Sequence, residues 1–591
     1  MDYKNLTDYY EKLESTSKRL EKTSILAQVL REAKKEKDAE SIINLLRGSV
    51  FPAWEQKKIG VSDKLIIKAL STSTGNSKDK IEKLFRKTGD LGLVGEELTV
   101  NRKQTTLGSK KLTCDFVQNK IRQLADLEGE GTVNKKIGLI SELLTSASPK
   151  EAKYIVRTIL EQLRIGVADG TIRDAVVWCF FSDKLKLKYN EKENELIMSE
   201  GSKKEYENYL EKVQHGYNMT NDFSEVFRII KEEGVTGLEK IEMKSGKPIN
   251  VMLFQKAKDI DDAFATVGKP CAMEFKLDGF RMQIHNNNSK ITLYTRRLEN
   301  VTKQFPDVVE IVKKGIKGDN YIVDTEVIGI DPKTKRWLSF QNISQRIKRK
   351  YDIEKLTKEI PVMINVFDIM SCNNENLLEA PFHRRRHTIE KIVKIIPEKI
   401  QPVPQIVTEK KEEAEKFYEQ SLKKGNEGIM AKALEAPYKP GSRVGYGVKI
   451  KPVLEPLDLV IVKADYGEGK RAGWLTSFTV ACTDNKKEKL LEIGKVSTGV
   501  KEKEQEEGTT YEEITKLLKT SIEKTSGKEA VVKPKIVIEV AYEEIQKSQE
   551  YSSGYALRFP RFLRIRNDKN IKDINTIYEV EKIYSTQKSK K

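Results

Sequence analysis

The spacing of apolar residues changes twice along this chain, and no single core can satisfy all three patterns. As far as residue 235 the apolar positions recur at helical intervals, and "SPKEAKYIVRTILEQLRIG" is representative. Ser148 supplies an N-cap, Pro149 the first helical residue and Glu151 the far half of a capping box. Ile155, Ile159, Leu160 and Leu163 then form a stripe, and Gly166 is expected to stop the helix. A second helix is predicted from Thr171, after an Asp169-Gly170 turn. From about residue 240, "KSGKPINVML" reads as a linker, and short alternating strands follow until Pro452. After "KPVLEPLD" a third texture begins, with strands such as "DLVIVKADYG" and "KPKIVIEVAYEEI". The stretch "GVKEKEQEEGTTYEEITKLLKTSIEKT" interrupts it as a polar, helix-containing excursion, and the tail "STQKSKK" reads as a disordered basic end.

A chain of 591 residues, 38% of them hydrophobic, has material for several cores. The predicted fold class is multidomain α+β. It comprises an all-helical domain over 1–235, a mixed α/β domain over 236–452 and an oligonucleotide-binding type of β-barrel over 453–591. Lys and Arg number 107 against 89 Asp and Glu, a surplus of +18 that suits a polyanionic partner. The five cysteines form no CxxC pair, which removes a zinc ribbon and a disulfide framework. With four histidines, a metal is expected to be a hard cation on carboxylates. The N-terminus lacks an apolar signal region, and the longest apolar run, "AVVWCFF", is too short to span a bilayer. A soluble intracellular protein is expected.

Charged groups embedded in strand-like sequence carry the chemistry. In "CAMEFKLDGFRMQIH", alternation puts Glu274, Lys276 and Asp278 on one face, and Asp278-Gly279 is expected to turn the chain into a return strand carrying Arg281, Gln283 and His285. Downstream, "YIVDTEVIGID" places Asp324 and Glu326 on one strand face. "GNEGIMAKAL" sets Glu427 between glycines, and "GVKIKP" alternates Lys449 and Lys451 with Val448 and Ile450. Taken singly, each reads as a solvated face; their order and separations make the set specific.

Lys276-Leu277-Asp278-Gly279-Phe280-Arg281 matches the KxDGxR signature of covalent nucleotidyltransferases. "DTEVIGID", "NVFDIM", "NEGIMAK" and "VKIKP" resemble the next four motifs of that superfamily, in order. "GYALRFPRFLRIRNDK" resembles the last motif of ATP-dependent DNA ligases of the archaeal and replicative eukaryotic type. "VFPAWEQKKIGVSDKLIIKALS" and "LRIGVADGTIRDAV" resemble their helical DNA-binding domain. The resemblance covers nearly the whole chain, with short archaeal ligases the nearest pattern. It implies sealing of 3′-OH/5′-phosphate nicks in duplex DNA through a lysyl-AMP intermediate and AMP-capped DNA, in replication, repair and recombination. It also implies ATP and Mg²⁺ or Mn²⁺ as cofactors, nicked duplex DNA as partner, no membrane, a monomer, and the cytoplasm of a prokaryote of archaeal type.

By the same resemblance, Lys276 is the nucleophile; it attacks phosphorus only when neutral, so its pKa must be lowered by desolvation and nearby cations, for which Lys449, Lys451 and Arg281 are available. The resemblance also implies Mg²⁺ shared between carboxylates and phosphates, with Glu427 the first candidate ligand and Glu326 the second. Glu274 lies by the nucleotide. Arg281 and Arg296 contact ribose or phosphate, Glu326 reaches the ribose, and Phe367 stacks on adenine. Arg443, Lys449 and Lys451 complete the nucleotide contacts, while Arg564, Arg566 and Lys569 of the last motif face pyrophosphate or DNA. Two positions depart from the pattern. Many relatives have tryptophan where this chain has Gly447, with Tyr446 the expected replacement. The loop "RKQTTLGSKKLT" keeps Gln104 and Leu107 of a clamp-binding segment without its aromatic pair, which leaves a sliding clamp open as a partner through 104–107. An RNA ligase or mRNA-capping guanylyltransferase would share the lysine chemistry, but the helical N-terminal region and "ALRFPRF" argue against it. A catalytically dead nick-binding scaffold would have no need of Lys276, Glu326, Glu427, Lys449 and Lys451 together.

Overall fold

The structure is a computed structural model that describes residues 1–589 except 38, 53, 54, 56, 101–110, 128, 130, 200, 242, 244, 245, 339, 349–352, 442, 453, 468–470, 472, 487 and 503–507. The Gln104–Leu107 loop therefore lies outside the described residues. The chain forms two compact units, one of Met1–Glu409 with Ala431–Val448 and one of Lys410–Met430 with Lys449–Lys591. No helix among the described residues is long and apolar enough to cross a membrane.

Helices fill the first unit from Tyr3–Ser15 to Thr236–Glu239, with one short hairpin pairing Lys188–Asn190 and Glu195–Ile197. The capping box at Ser148 forms, its backbone N–H donating to the Glu151 carboxylate at 2.8 Å, and the helix begins at Pro149. The helix ends at Ile159, however, well before Gly166. Glu161 and Arg164 adopt left-handed φ of 57° and 59°, and the buried Lys22 ammonium donates to the Ile165 and Gly166 carbonyls. That tether, unrecognisable from the local pattern, converts the expected last turns into a loop. The following helix spans Asp169–Leu185, so Asp169-Gly170 is its first turn, where an acidic side chain complements the helix dipole.

Between Leu253 and Ile450 the chain forms two sheets. Their principal strands are β1 (Leu253–Lys256), β2 (Cys271–Lys276), β3 (Phe280–Asn287), β4 (Lys290–Thr295), β5 (Asn320–Ile330), β6 (Val362–Cys372), β7 (Gln405–Thr408), β8 (Gly428–Ala433) and β9 (Arg443–Ile450). One sheet orders β7-β2-β8-β9-β1; the seven-stranded sheet runs β6-β5-β3-β4, with short strands added at its margins. β2 and β3 thus do not pair as a hairpin. Leu277-Asp278-Gly279 instead carries the chain from one sheet to the other, and Gly279 is required by close approach: a Cβ there would lie 2.4 Å from the Val327 carbonyl oxygen of β5.

Alternation sorts the seven-stranded sheet into two faces. Phe280, Met282, Ile284, Val323, Val327, Ile364, Val366 and Ile369 pack into one core, covered by helices Pro306–Gly315 and Phe382–Ile392. Arg281, Gln283, His285, Asp324, Glu326 and Asn365 take the opposite face, as the register Arg281↔Glu326↔Asn365 requires. Between Thr325↔Val366 and Asp324↔Asp368 the register skips Phe367, which is the extra residue of a β-bulge. Within the expected linker, Gly246–Met252 runs without strand or helix across the polar face.

In the second unit, Leu457–Tyr466 pairs along one edge with Leu475–Thr483 and along the other with both Glu529–Val532 and Val537–Ala541. Sharing one edge between two partners curls this antiparallel sheet about its core, as the oligonucleotide-binding reading expects. The polar excursion contains helix Tyr511–Lys519, which buries Tyr511, Ile514 and Leu518 in that core. The expected disordered tail is instead helical through Ser589, in helix Ile577–Ser589, where Gln587 accepts from the Ile545 N–H at 3.2 Å.

His285 provides a test of the linker packing. It is fully buried, accepts from the Gly246 N–H through Nδ1 at 3.1 Å, and lies 2.8 Å from Gln283 Oε1 through Nε2. Burial pushes its pKa down to about 3, so the folded state keeps the neutral ring while the unfolded chain takes up a proton below about 6.5. Stability should therefore fall with a slope approaching about 1.4 kcal/mol per pH unit as pH drops below that value. From pH 7 to 5.5, wild type should lose about 1 kcal/mol more than His285→Gln in chemical denaturation. Equal losses would contradict the neutral, buried imidazole.

Candidate active site

The polar faces of the two sheets meet at Lys432, a residue the sequence reading passed over. Its ammonium lies 2.6 Å from Glu274 Oε2, donates to the Phe367 carbonyl at 3.2 Å, and sits 5.0 Å from the Phe367 ring and 4.5 Å from the Phe382 ring. Glu274, 1% exposed on β2, also accepts from Gln405 Nε2 at 2.9 Å and has Arg386 at 3.7 Å. A lysine buried to 4% exposure needs such partners. The signal was present in "GIMAKAL", where Lys432 is the one charged residue inside an apolar strand.

Arg281 is held in place by groups of the protein. Its guanidinium pairs with Asp324 at 2.5 and 3.2 Å, donates to the Met252 carbonyl at 2.8 Å and to the Tyr438 hydroxyl at 3.0 Å, and lies 5.2 Å from the Phe367 ring. Burial works against its charge, but Asp324, with Tyr438 and Glu326, outweighs this and holds its pKa above the ordinary arginine value. Asp324, fully buried, offsets the arginine's charge. Glu326 is half-buried opposite Arg281 across the β3–β5 ladder. Lys276, half-buried, is the last residue of β2, immediately before the crossover, and Asp278 is buried within it. The Phe367 bulge turns that ring out of strict alternation, with the Arg281 guanidinium 5.2 Å and the Lys432 ammonium 5.0 Å from its centre. Glu274, Arg281, Glu326 and Phe367 are thus brought together, with Lys432, Asp324 and Tyr438 added.

Arg296 and Arg297 are both exposed in the turn after β4, where Leu298 takes φ 65°. Arg443 begins β9, and its side chain lies outside the described residues. At Gly447 a Cβ would sit 2.5 Å from the Phe254 ring of β1, so Phe254, and not Tyr446, occupies the space a larger side chain would need.

The second unit holds the remaining positions. Lys451 bridges Glu427 at 2.7 Å and Glu543 at 3.1 Å. Burial opposes its charge, yet these carboxylates raise its pKa overall. Gly428 follows Glu427 at φ 143° because a Cβ would meet the Ile450 carbonyl oxygen at 2.0 Å. Lys449 is half-buried, with Val448 and Ile450 buried on either side. In the last motif, Arg566 pairs with Asp458 at 2.9 Å and Asp568 at 2.7 Å, and Lys569 reaches Asp458 at 2.6 Å. Arg564 is 64% exposed and pairs with Glu539 at 2.7 Å. Phe559 was not singled out by the sequence reading; it is 67% exposed at φ 51°, with Arg558 at 5.3 Å from its ring.

Three family models match consecutive parts of the chain: DNA ligase N terminus over 2–177, ATP dependent DNA ligase domain over 251–451, and ATP dependent DNA ligase C terminal region over 471–569. The DNA ligase of Nanoarchaeum equitans is 47% identical over 589 residues, covering 100% of this chain and 99% of that protein. The chain belongs to the ATP-dependent DNA ligases. The DNA ligases of Methanopyrus kandleri and Archaeoglobus fulgidus are 39% and 38% identical, each match covering 99% of both chains. A solved structure described as "Pmar-Lig_PreS3" shares the fold at TM-score 0.56 and 14% identity, covering 95% of this chain and 99% of that one. Within this ligase, the Phe254–Gly447 contact is open to direct test. Gly447→Ala should cost about 1–3 kcal/mol by overpacking, and Phe254→Ala should remove most of that cost. An equal cost of Gly447→Ala in both backgrounds would show that Phe254 does not set the limit.

Proposed function

We propose that this ATP-dependent DNA ligase carries AMP on Lys276, and that the facing polar surfaces of its two sheets recognise the nucleotide. The observation that supports this best is the position of Lys276 at the crossover between sheets whose facing residues include Glu274, Arg281, Glu326, Phe367 and Lys432. Neutral Lys276 Nζ attacks the α-phosphorus of ATP. The N–P bond forms as the bond to pyrophosphate breaks, and nitrogen loses a proton. A 5′-phosphate oxygen of the nick then attacks the same phosphorus, freeing the lysine and capping the DNA with AMP. The 3′-hydroxyl finally attacks the 5′-phosphorus, loses its proton and expels AMP. Charge spreads over phosphoryl oxygens throughout, so positioning and electrostatics are the protein's contribution.

In this reading Phe367 stacks on adenine, with Glu274 and Lys432 at the same end of the pocket. Arg281, Arg296 and Glu326 hold ribose and phosphate, while Arg443, Lys449 and Lys451 neutralise the phosphates. A divalent cation would be held by carboxylate oxygen, with Glu427, which faces the Lys451 ammonium at 2.7 Å, the first candidate and Glu326 the alternative. No cluster of three or more His, Cys, Asp or Glu suited to a metal occurs among the described residues, so Mg²⁺ would complete its shell with phosphate oxygens and water. Bound there, it supplies charge neutralisation to the phosphates. Arg564 is the most accessible of the last-motif cations for pyrophosphate; Arg566 and Lys569 would have to exchange Asp458 for a phosphate. The helical region grips duplex phosphates without reading sequence.

Lys276→Ala should abolish both covalent labelling by α-labelled ATP and sealing of an ordinary nick. Lys276→Arg should do the same, since guanidinium stays protonated. Residual covalent AMP in either variant would remove Lys276 from its role. Glu427→Ala should lower magnesium-dependent sealing far more than affinity for nicked DNA. Near-wild-type sealing at saturating magnesium would remove Glu427 as a cation ligand.

A further inference from the structure

The segment Gly246–Met252 connects the helical region to the nucleotide pocket, and its backbone is held by residues of the pocket's own sheet face. Gly246 N–H donates to His285 Nδ1 at 3.1 Å, and its carbonyl accepts from the Tyr294 hydroxyl. Ile249 is gripped twice by Gln283: its N–H donates to Oε1 at 2.8 Å and its carbonyl accepts from Nε2 at 3.1 Å. At Met252 the carbonyl accepts from Arg281 at 2.8 Å, and the N–H donates to the Tyr438 hydroxyl at 3.2 Å. That hydroxyl donates to Asp324 Oδ2 at 2.7 Å and accepts from Arg281 at 3.0 Å. Its one proton and both lone pairs are therefore used. On the other side, the Pro248 carbonyl accepts from Asn221 Nδ2 at 2.5 Å. Met219 of helix Ser202–Thr220 shares an apolar cluster with Ile249, Met252, Ile322, Met370, Leu378 and Tyr438.

We infer that Tyr438 is a positioning residue that fixes Arg281 against Asp324 in the nucleotide pocket, and that Gly246–Met252 is a strap by which the helical region helps to set that arginine. The inference rests on the proposal that Arg281 contacts the nucleotide. Without the hydroxyl, Asp324 loses a donor in a fully buried position, and the Met252 N–H loses its acceptor. Arg281 can then turn toward Glu326, its neighbour across the ladder. Direct removal of Arg281 or Asp324 would say little, because it strands the other charge in the interior.

The test uses the full chain with Tyr438→Phe, which keeps the ring in its apolar cluster, and with Gln283→Leu, which loosens the strap at Ile249. Self-adenylation by α-labelled ATP is followed as a function of ATP concentration. Tyr438→Phe should raise the ATP concentration for half-maximal rate about tenfold, the scale of one charge-assisted hydrogen bond, and leave the maximal rate nearly unchanged. Gln283→Leu should shift it the same way by a smaller factor, and the double variant by less than the product of the two. Variants that fold with lowered melting temperature but unshifted ATP dependence would overturn the positioning role. So would a Tyr438→Phe effect confined to the maximal rate. A shift in Tyr438→Phe with none in Gln283→Leu would overturn the strap. A wild-type chain that takes no label from ATP would overturn the nucleotide reading itself, a failure distinct from these.

Discussion

An ion pair between half-buried Arg281 and fully buried Asp324 is the constraint on which the polar face of the seven-stranded sheet depends. Two charges in the interior are tolerated only when both are paired and their remaining hydrogen-bonding groups are satisfied, and loss of one partner typically costs about 3–5 kcal/mol. Here the Met252 carbonyl and the Tyr438 hydroxyl meet that demand. The consequence is structural as well as electrostatic. The pair ties β3 to β5, the linker backbone to both, and the guanidinium to one side of the Phe367 ring, while Lys432 approaches the same ring from the other sheet.

In the second unit the same logic produces a different state. Lys451, Arg564, Arg566 and Lys569 are each paired with a carboxylate of that unit. A phosphate that engages any of them must compete with Glu427, Glu539 or Asp458. Such pre-pairing keeps basic groups of a chain with formal charge +18 from acting as indiscriminate anion traps.

Much of this was legible from residue order alone, because alternation fixes strand faces: Glu274 with Lys276 and Asp324 with Glu326 share faces as expected. The Asp278-Gly279 pair misled, since its local signature is that of a tight hairpin, whereas the glycine answers a close approach to Val327 in another sheet. Phe367 was identified through its motif, but the bulge that aims it depends on register with β5 and is invisible locally. Lys432 and Tyr438 were missed for a related reason: their partners Glu274 and Asp324 lie more than a hundred positions away. The early end of helix Pro149–Ile159 likewise depends on Lys22, and the C-terminal helix on its packing beneath Tyr555 and Ile545.

The central claim, covalent nucleotide transfer through Lys276, is tested most directly by a pulse and chase on the full chain. The protein is incubated with α-labelled ATP and magnesium, digested in part for peptide mapping, and otherwise chased with a duplex carrying a single nick. Label should reside on the peptide containing Lys276, leave the protein when nicked duplex is added, and appear as free AMP in step with sealed strand. Label on another peptide, or label that the nick does not discharge, would contradict it.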